Sequence, residues 1–294
     1  MTGNGVRLAN RSRYSPSMSR ILIFGPGYTA SRIAAALEGW HITLIGRDRI
    51  AVDELIRVEI AAATHILSSV PPDGDSDPVL LRHSALLAQA PARWIGYLSS
   101  TGVYGDTGGA WIDESAPVGG GRRSARAAAD LAWQALHPQV RVFRLPGIYG
   151  PGRSALDRVR EGRAHRLDLP GQLFSRVHVD DIVSGVLASI HRGPPGVFNL
   201  ADDRPASQNA VVEQACDLLA LPWPPLSTLD AAGLSPAARA FYAENRRIAN
   251  GKAKRLLGWE PCYSDYRAGL RALNEITSPT NVNAQPSRAS HDQR

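Results

Sequence analysis

An α/β fold built on an open, doubly wound parallel sheet is what the sequence predicts, on three observations. Aliphatic and β-branched runs recur along the first half of the chain, helical patterns separate them, and the first run ends directly in a glycine-rich turn. Strands that each need a helical crossover before the next pair in parallel, and a parallel sheet is covered on both faces. With 294 residues, 44% of them hydrophobic and 20% charged, the chain has the apolar material for such a core. That composition excludes disordered and fibrous classes for its bulk.

The elements follow in order. Ile21–Phe24 is the first strand, stopped by Gly25, and the stretch from Ser31 to Glu38 has helical spacing. Ile42–Ile45 is the second strand, and His65–Val70 is another, ended by Pro71-Pro72. Trp94–Leu98 and Val140–Arg144 continue the series, with helices near 77–90 and 124–136. Beyond residue 150, Gly, Pro and Arg break the chain into shorter pieces. Asp180-Asp181 then opens a helix to about Ile190, with Asp180 as its N-cap. Val197–Leu200 is strand-like, Gln208–Leu221 is helical, and residues 236–275 form two or three short helices. The expected division is a Rossmann core over 20–150, then the remainder of that core over 151–276, interleaved with a smaller C-terminal substrate-binding lobe. Residues 1–19 are read as a disordered tail or a mis-called extension ahead of a start at Met18, and 277–294 as a loose polar tail.

Charge and cysteine content narrow the function classes. The net charge is +6, but Arg7, Arg11, Arg13 and Arg20 supply much of it from a stretch with no acid, leaving the body nearly neutral. Of the 33 basic residues only Lys252 and Lys254 are lysines, a bias of composition rather than a phosphate-binding patch. No nucleic-acid partner is expected. No run approaches a membrane span, so no membrane partner is expected either. Cys216 and Cys262 stand apart without a CxxC pattern or a histidine cluster, which excludes a disulfide framework and a zinc site and fits a reducing cytoplasm. A homodimer through helices flanking the sheet is the association such a fold offers.

The turn after the first strand reads Gly25-Pro26-Gly27-Tyr28-Thr29-Ala30, a G-x-G-x-x-A pattern between a strand and a helix. Gly25 permits the tight turn, Gly27 lets a pyrophosphate approach the backbone, and Ala30 lets the helix lie close to the sheet. Phosphates would then meet the free N–H groups and positive dipole of the helix N-terminus, where Tyr28 and Thr29 lie. Pro26 contributes no N–H, so the turn has one donor fewer than usual. At the end of the second strand stands Gly46-Arg47-Asp48-Arg49. Arg47 suits a 2′-phosphate and favours NADP, while Asp48 keeps NAD as the alternative. Ser69, Val70 and Pro71 end a central strand and would line the cofactor crevice, with Ser99 beside them.

Several segments together resemble one family. Ser99-Ser100-Thr101-Gly102-Val103-Tyr104-Gly105 is similar to the S-[ST]-x-x-V-Y-G strand end of extended short-chain dehydrogenases/reductases. Arg144 through Gly152 resembles their R-x-x-x-[IV]-Y-G-P-G, and Val177-His178-Val179-Asp180 their H-V-x-D. Phe198-Asn199-Leu200 resembles their later strand, and Asn250 through Trp259 their N-x-K-x-x-x-x-L-G-[WF]. The resemblance covers residues 20 to about 275 and points to an atypical branch of the NAD-dependent epimerase/dehydratase family.

It implies hydride transfer at a nicotinamide, with a Tyr as acid/base, a Lys that lowers its pKa, and a Ser or Thr that orients the substrate oxygen. Ser100 takes the Ser/Thr position. Counting back from Asp130 puts Arg126 at the Lys position and Arg122 at the Tyr position of Y-x-x-x-K. A guanidinium holds its proton too tightly to be the acid, and shifting the alignment to Arg123 or Ser124 does not repair the pattern. The protic candidates left are Tyr104, Asp106, Asp113 and Tyr149. Alternatively, Arg122 binds a substrate carboxylate or phosphate while water donates the proton.

Other residues have plainer readings. His178 ties a loop to a strand, and Trp133 is packing. Trp111 lies in the Gly-rich 105–121 loop, which would make a lid. Arg153 and Arg176 are either contacts for a phosphate-bearing substrate or surface arginines. Two functions are expected from this reading. The first is an NAD(P)-dependent oxidoreductase or epimerase/dehydratase-like enzyme acting on a polar carbonyl or alcohol metabolite, with a nucleotide sugar implied by the resemblance. The alternative is a dinucleotide-binding regulatory or interaction protein without turnover.

Overall fold

The computed structural model describes residues 19–121 and 124–277. Its centre is a six-stranded, all-parallel sheet. In chain order the elements of the first half are β1 (Arg20–Phe24), α1 (Tyr28–Ala35), β2 (His41–Ile45), α2 (Asp53–Ala62), β3 (His65–Ser68), α3 (Pro78–Ala88) and β4 (Trp94–Ser100). They continue with β5 (Trp111–Ile112), α4 (Ser124–Leu136), β6 (Val140–Leu145), β7 (Gly147–Tyr149), α5 (Ala155–Arg160), β8 (Arg166–Leu167) and β9 (Arg176–His178). The last are α6 (Val179–His191), β10 (Gly196–Asn199), α7 (Gln208–Leu219), β11 (Leu226–Ser227), α8 (Pro236–Phe241), β12 (Arg247–Ile248), α9 (Gly251–Leu257) and α10 (Tyr266–Thr277).

The main sheet runs β10-β6-β4-β3-β1-β2. The chain goes outward from β1 to β2, then crosses back to β3 on the other side of β1, so the strand order reverses there. The loops after β1 and β3 diverge, and a crevice opens at the carboxyl ends of those strands. Alternate residues of the strands feed two cores. Leu22, Phe24, Ile66, Ile95, Tyr97 and Val142 pack under α2, α3 and α4, with Ile56, Val79, Leu87 and Trp133. Ile21, Ile23, Leu67, Trp94, Leu98, Phe143 and Phe198 face the opposite way, against Ile33, Ile182, Val186 and Leu257 of α1, α6 and α9. Burial of both faces is why these strands read as continuous apolar runs rather than as alternation.

A third cluster, with Tyr149, Leu156, Val211, Tyr266, Leu270 and Leu273, holds α5, α7 and α10 together as a smaller lobe. Three two-stranded parallel pairs, β7-β9, β8-β11 and β5-β12, lie outside the main sheet. They are too short to leave a periodic signal in the sequence.

Local chemistry sets the helix ends, and two expectations change. α1 begins at Tyr28 directly on the glycine turn, not at Ser31. Asp180 is not the cap of α6. His178 is, its Nδ1 accepting the Asp180 N–H at 3.2 Å, while Asp180 sits in the first turn and pairs with Arg32 of α1 at 3.2 Å. A carboxylate there still suits the helix dipole. α3 is capped by Asp77, which accepts from Val79 and Leu80 behind Pro78 and also from the Trp133 indole N–H at 2.9 Å. Trp133 is thus packing, as expected. No helix among the described residues is long and apolar enough to cross a membrane.

Candidate functional site

The glycine turn is shaped by two backbone demands. Gly25 has φ +75°, and a Cβ there would stand 2.9 Å from Val70 Cγ2 and 3.2 Å from the Val70 nitrogen. Only glycine meets both the sign of φ and the contact. The Gly25 N–H donates to Ile45 O at 2.9 Å, which ties the turn to the end of β2 and so brings Arg47, exposed in a short turn, onto the same edge. At Gly27, the N-cap of α1, an added Cβ would meet no protein atom within 4 Å. Space is left in front of the helix, and no side chain caps its N-terminus. Ala30 is fully buried, which lets α1 lie on the sheet.

A cleft of about 1010 Å³ runs from this turn into the C-terminal lobe. Its core-side wall includes Tyr28, Thr29, Ser69, Pro71, Ser99, Ser100 and Arg126. Val70 does not line it: this side chain is buried beneath Gly25 and supports the turn. Ser99 contributes only its main-chain side, because its hydroxyl donates inward to Asp130 Oδ2 at 2.6 Å. Alternation along β4 therefore leaves Ser100 as the hydroxyl at the cleft. Ser100 Oγ accepts the Gly102 N–H at 3.1 Å, and its own proton can turn toward a ligand.

Behind Ser100 lies a buried ion pair. Arg144 grips Asp130 with Nη2 at 2.7 Å and Nε at 3.1 Å, and Gln134 adds a bond to Oδ1 at 2.7 Å. Both charges are shut off from solvent, so the pair stands on its geometry. One helical turn before Asp130, Arg126 lies on the same side of α4 and reaches the cleft, its Nη1 donating to the Tyr97 hydroxyl at 3.2 Å. Burial pushes the Tyr97 phenol up to about 12, so it stays protonated. Arg122 lies outside the described residues.

The proton-donor candidates need correction. Tyr104 does not reach the cleft. Its hydroxyl donates to Asn199 Oδ1 at 2.8 Å, and the Arg144 guanidinium stands 4.8 Å over its ring. The V-Y-G and F-N-L segments therefore meet each other inside the protein, and this tyrosine joins strand ends. Asp106 and Asp113 are exposed acceptors held below the usual carboxylate range, by the Asn245 N–H in one case and by Ser115 in the other. Neither has a proton to give. Tyr149 lines the cleft, but burial pushes its phenol far up and its hydroxyl faces the Asp265 carbonyl at 3.5 Å. Trp111 is exposed on β5, away from the cleft wall.

The lobe-side wall carries residues the sequence did not single out. His165 Nε2 and the Tyr242 hydroxyl form a pair at 3.2 Å, and Tyr242 packs edge-on against Phe174. Arg246 is paired with Glu244 at 2.7 Å, and Arg163 with Glu161. Arg176 is no free anion contact: it donates to the Phe174 and Ala206 carbonyls at 2.9 and 2.8 Å, and burial pulls it down to about 10. Asp157 is spent in a capping box with Ser154. Arg126, Arg153 and Arg158 line the cleft without an ion-pair partner among the described residues, which gives it a positive interior. The described residues contain no cluster of side chains suited to a metal ion.

Comparison with known proteins bears on the fold. No protein-family model matches the chain. A functionally unknown conserved protein from Silicibacter pomeroyi DSS is 40% identical, with a TM-score of 0.78 over 88% of this chain and 99% of that one. The human epimerase family protein SDR39U1, solved with NADPH, is 18% identical with a TM-score of 0.70 over 87% of this chain and 99% of that one. The dTDP-glucose 4,6-dehydratase of Bacillus anthracis, in complex with NAD, is 19% identical with a TM-score of 0.69 over 87% of this chain and 96% of that one. A 3-diazoavenalumate denitrifying reductase from a Streptomyces species is 29% identical over 181 residues, 54% of this chain. The match spans only 58% of that reductase. The chain belongs to one family with the Silicibacter pomeroyi protein, and it shares its Rossmann-type fold with the epimerase and dehydratase structures.

Proposed function

We propose that the protein is an NADP(H)-dependent oxidoreductase or epimerase/dehydratase-like enzyme acting on a polar, anionic carbonyl or alcohol metabolite, a nucleotide sugar or a related compound. One observation carries the reading. A single cleft joins the uncapped N-terminus of α1 to the Ser100 hydroxyl and continues to arginines of the C-terminal lobe that have no ion-pair partner among the described residues. Its volume of about 1010 Å³ has room for a dinucleotide and a second small molecule together. The residues fit such a cofactor: Gly27 leaves the space a Cβ would fill, and Pro71 and Ser69 stand at the switch point of the sheet. Arg47 at the end of β2 favours the 2′-phosphate of NADP, with NAD the alternative through Asp48. The human neighbour was solved with NADPH and the bacterial dehydratase with NAD, and the partial relative is a reductase, all of which supports this reading.

A bound nicotinamide supplies or accepts the hydride. The chain's own part is positioning and charge. Ser100 offers a hydroxyl to the substrate oxygen, and Arg126, pinned by Tyr97, holds a permanent positive charge beside it. Such a charge stabilises an oxygen that becomes negative. It cannot relay a proton, because a guanidinium does not deprotonate at ordinary pH. The proton therefore comes from a cleft hydroxyl or from water.

The second reading, a dinucleotide sensor without turnover, is favoured by that same arginine at the lysine position. Fluorescence titration with NADPH and NADH, followed by turnover with carbonyl acceptors, separates the two. Arg47→Ala is expected to weaken NADPH by about tenfold or more and leave NADH unchanged. Ser100→Ala is expected to cut turnover on the order of a hundredfold with unchanged cofactor affinity. Binding without turnover selects the sensor, and no binding of either dinucleotide ends both readings.

A further inference from the structure

The loop facing the glycine turn carries an arginine with no charge partner among the described residues. Arg153 lies between β7 and α5, in a turn closed by two backbone bonds. The Gly150 N–H donates to the Arg153 carbonyl at 3.2 Å, and the Arg153 N–H to the Gly150 carbonyl at 3.0 Å. The turn is also fastened to the other side of the cleft, because the Tyr28 hydroxyl donates to the Pro151 carbonyl at 3.1 Å. The Arg153 guanidinium carbon consequently stands 5.7 Å from the Tyr28 ring centroid, at the first residue of α1. Arg32 approaches the same ring at 5.3 Å, but Asp180 answers its charge. Arg153 has no carboxylate within ion-pair distance among the described residues, and it is exposed within the cleft.

We propose that Arg153 is a second clamp on the pyrophosphate of the dinucleotide, reaching from the far side of the cleft to phosphates seated at the N-terminus of α1. The inference rests on the cofactor reading above. A dinucleotide pyrophosphate brings two negative charges. The turn that receives it has lost one N–H donor to Pro26, and the helix end offers only a partial positive charge. An arginine fork restores what is missing, with two parallel donors and a full charge. The tyrosine ring holds the guanidinium plane without neutralising it. Because the loop leads into α5 of the lobe, the same contact couples cofactor binding to the position of the lobe wall.

The test is a fluorescence titration of the full chain with NADPH and with NADH, at low and high salt, for wild type, Arg153→Gln and Arg153→Lys. Arg153→Gln is expected to weaken both dinucleotides equally, by about tenfold to a hundredfold. The loss shrinks at high salt, and Arg153→Lys recovers part of it. Equal loss for both cofactors separates this role from that of Arg47, which concerns NADPH alone. Unchanged cofactor affinity in a folded Arg153→Gln protein overturns the proposal, and so does a rise in substrate KM with no change in cofactor affinity. If wild type binds neither dinucleotide, the cofactor reading fails first and this inference with it. Binding by wild type that Arg153→Gln leaves intact removes the inference alone.

Discussion

The two walls of the cleft are made by different means. On the core side, recognition is a matter of backbone: a glycine at φ +75°, a second glycine with open space before it, and a helix end that no side chain caps. On the lobe side it is a matter of long side chains, with Arg153, Arg158 and His165 drawn from the short stretch around α5 and Tyr242 from just beyond α8. A backbone-built wall binds what every member of a cofactor class shares and is broken by a single Cβ. A side-chain wall tolerates substitution and can be re-aimed at another substrate. Changes at the core wall should therefore cost cofactor affinity, and stability as well where a buried support is touched, whereas the lobe wall beyond Arg153 should change in specificity and in pH response.

The largest expected effect is at the support of the core wall. Asp130→Ala removes the carboxylate that holds Arg144 in a fully buried pair and takes the acceptor from Ser99 and Gln134. The arginine is left charged and unpaired, at a cost of about 3–5 kcal/mol. Urea denaturation should show that loss, and Arg144→Ala added to Asp130→Ala should add little to it. Independent, additive losses would mean that the two residues do not act as a pair.

Gly25→Ala comes next. It forces a Cβ into the left-handed region and against Val70, at about 2–4 kcal/mol. Dinucleotide affinity should fall with stability, because Val70 and the turn move together. Gly27→Ala sharpens the comparison. Its Cβ meets no protein atom, so stability should hardly change while cofactor affinity falls. A Gly27→Ala protein that binds both cofactors normally would mean that the space before α1 is not where the phosphates lie.

The contrast between the walls also explains what was legible in the sequence. The glycine turn was readable because its requirement is local: the turn, the close approach and the helix start all lie within six consecutive residues. The strands were readable because burial on both faces leaves apolar runs. Ser100 and Arg126 were found through segments that share a register with β4 and α4, and both reach the cleft. Tyr104 failed because sequence proximity to Ser100 says nothing of direction, and the short turn over Thr101–Tyr104 carries it inward to Asn199. Ser99 lines the cleft as well, but the alternation of the strand that presents Ser100 turns its hydroxyl inward to Asp130. His165, Tyr242 and Arg158 carry no pattern, since their meeting depends on how a small lobe packs. The N-cap of α6 was misplaced by two residues because a histidine nitrogen did the work usually given to a carboxylate.

The last expected effect lies behind the lobe wall and is one of pH. Asp202 follows β10, is 1% exposed, and donates its N–H to the Arg176 carbonyl at 2.7 Å. Burial pushes its carboxyl up to about 8, with Arg176 pulling the other way and Asp265 adding to the rise. The sign follows from linkage. Below about pH 4 the group is protonated both in the folded protein and in the unfolded chain. Between about 4 and 8 the unfolded chain loses the proton and the folded protein keeps it, so folding stability drains as pH rises through that window. Above it, both states are ionised and the loss is complete. Asp202→Asn keeps the shape and removes the titration. The difference in thermal midpoint, variant minus wild type, should therefore grow from pH 4 to pH 8 and then level off, since every other titrating group is common to both proteins. A difference that stays flat across that range would mean that Arg176 fully compensates the buried Asp202 carboxylate. The lobe wall would then rest on an ion pair, as the core wall does at Asp130, and the two walls would differ only at the cleft surface.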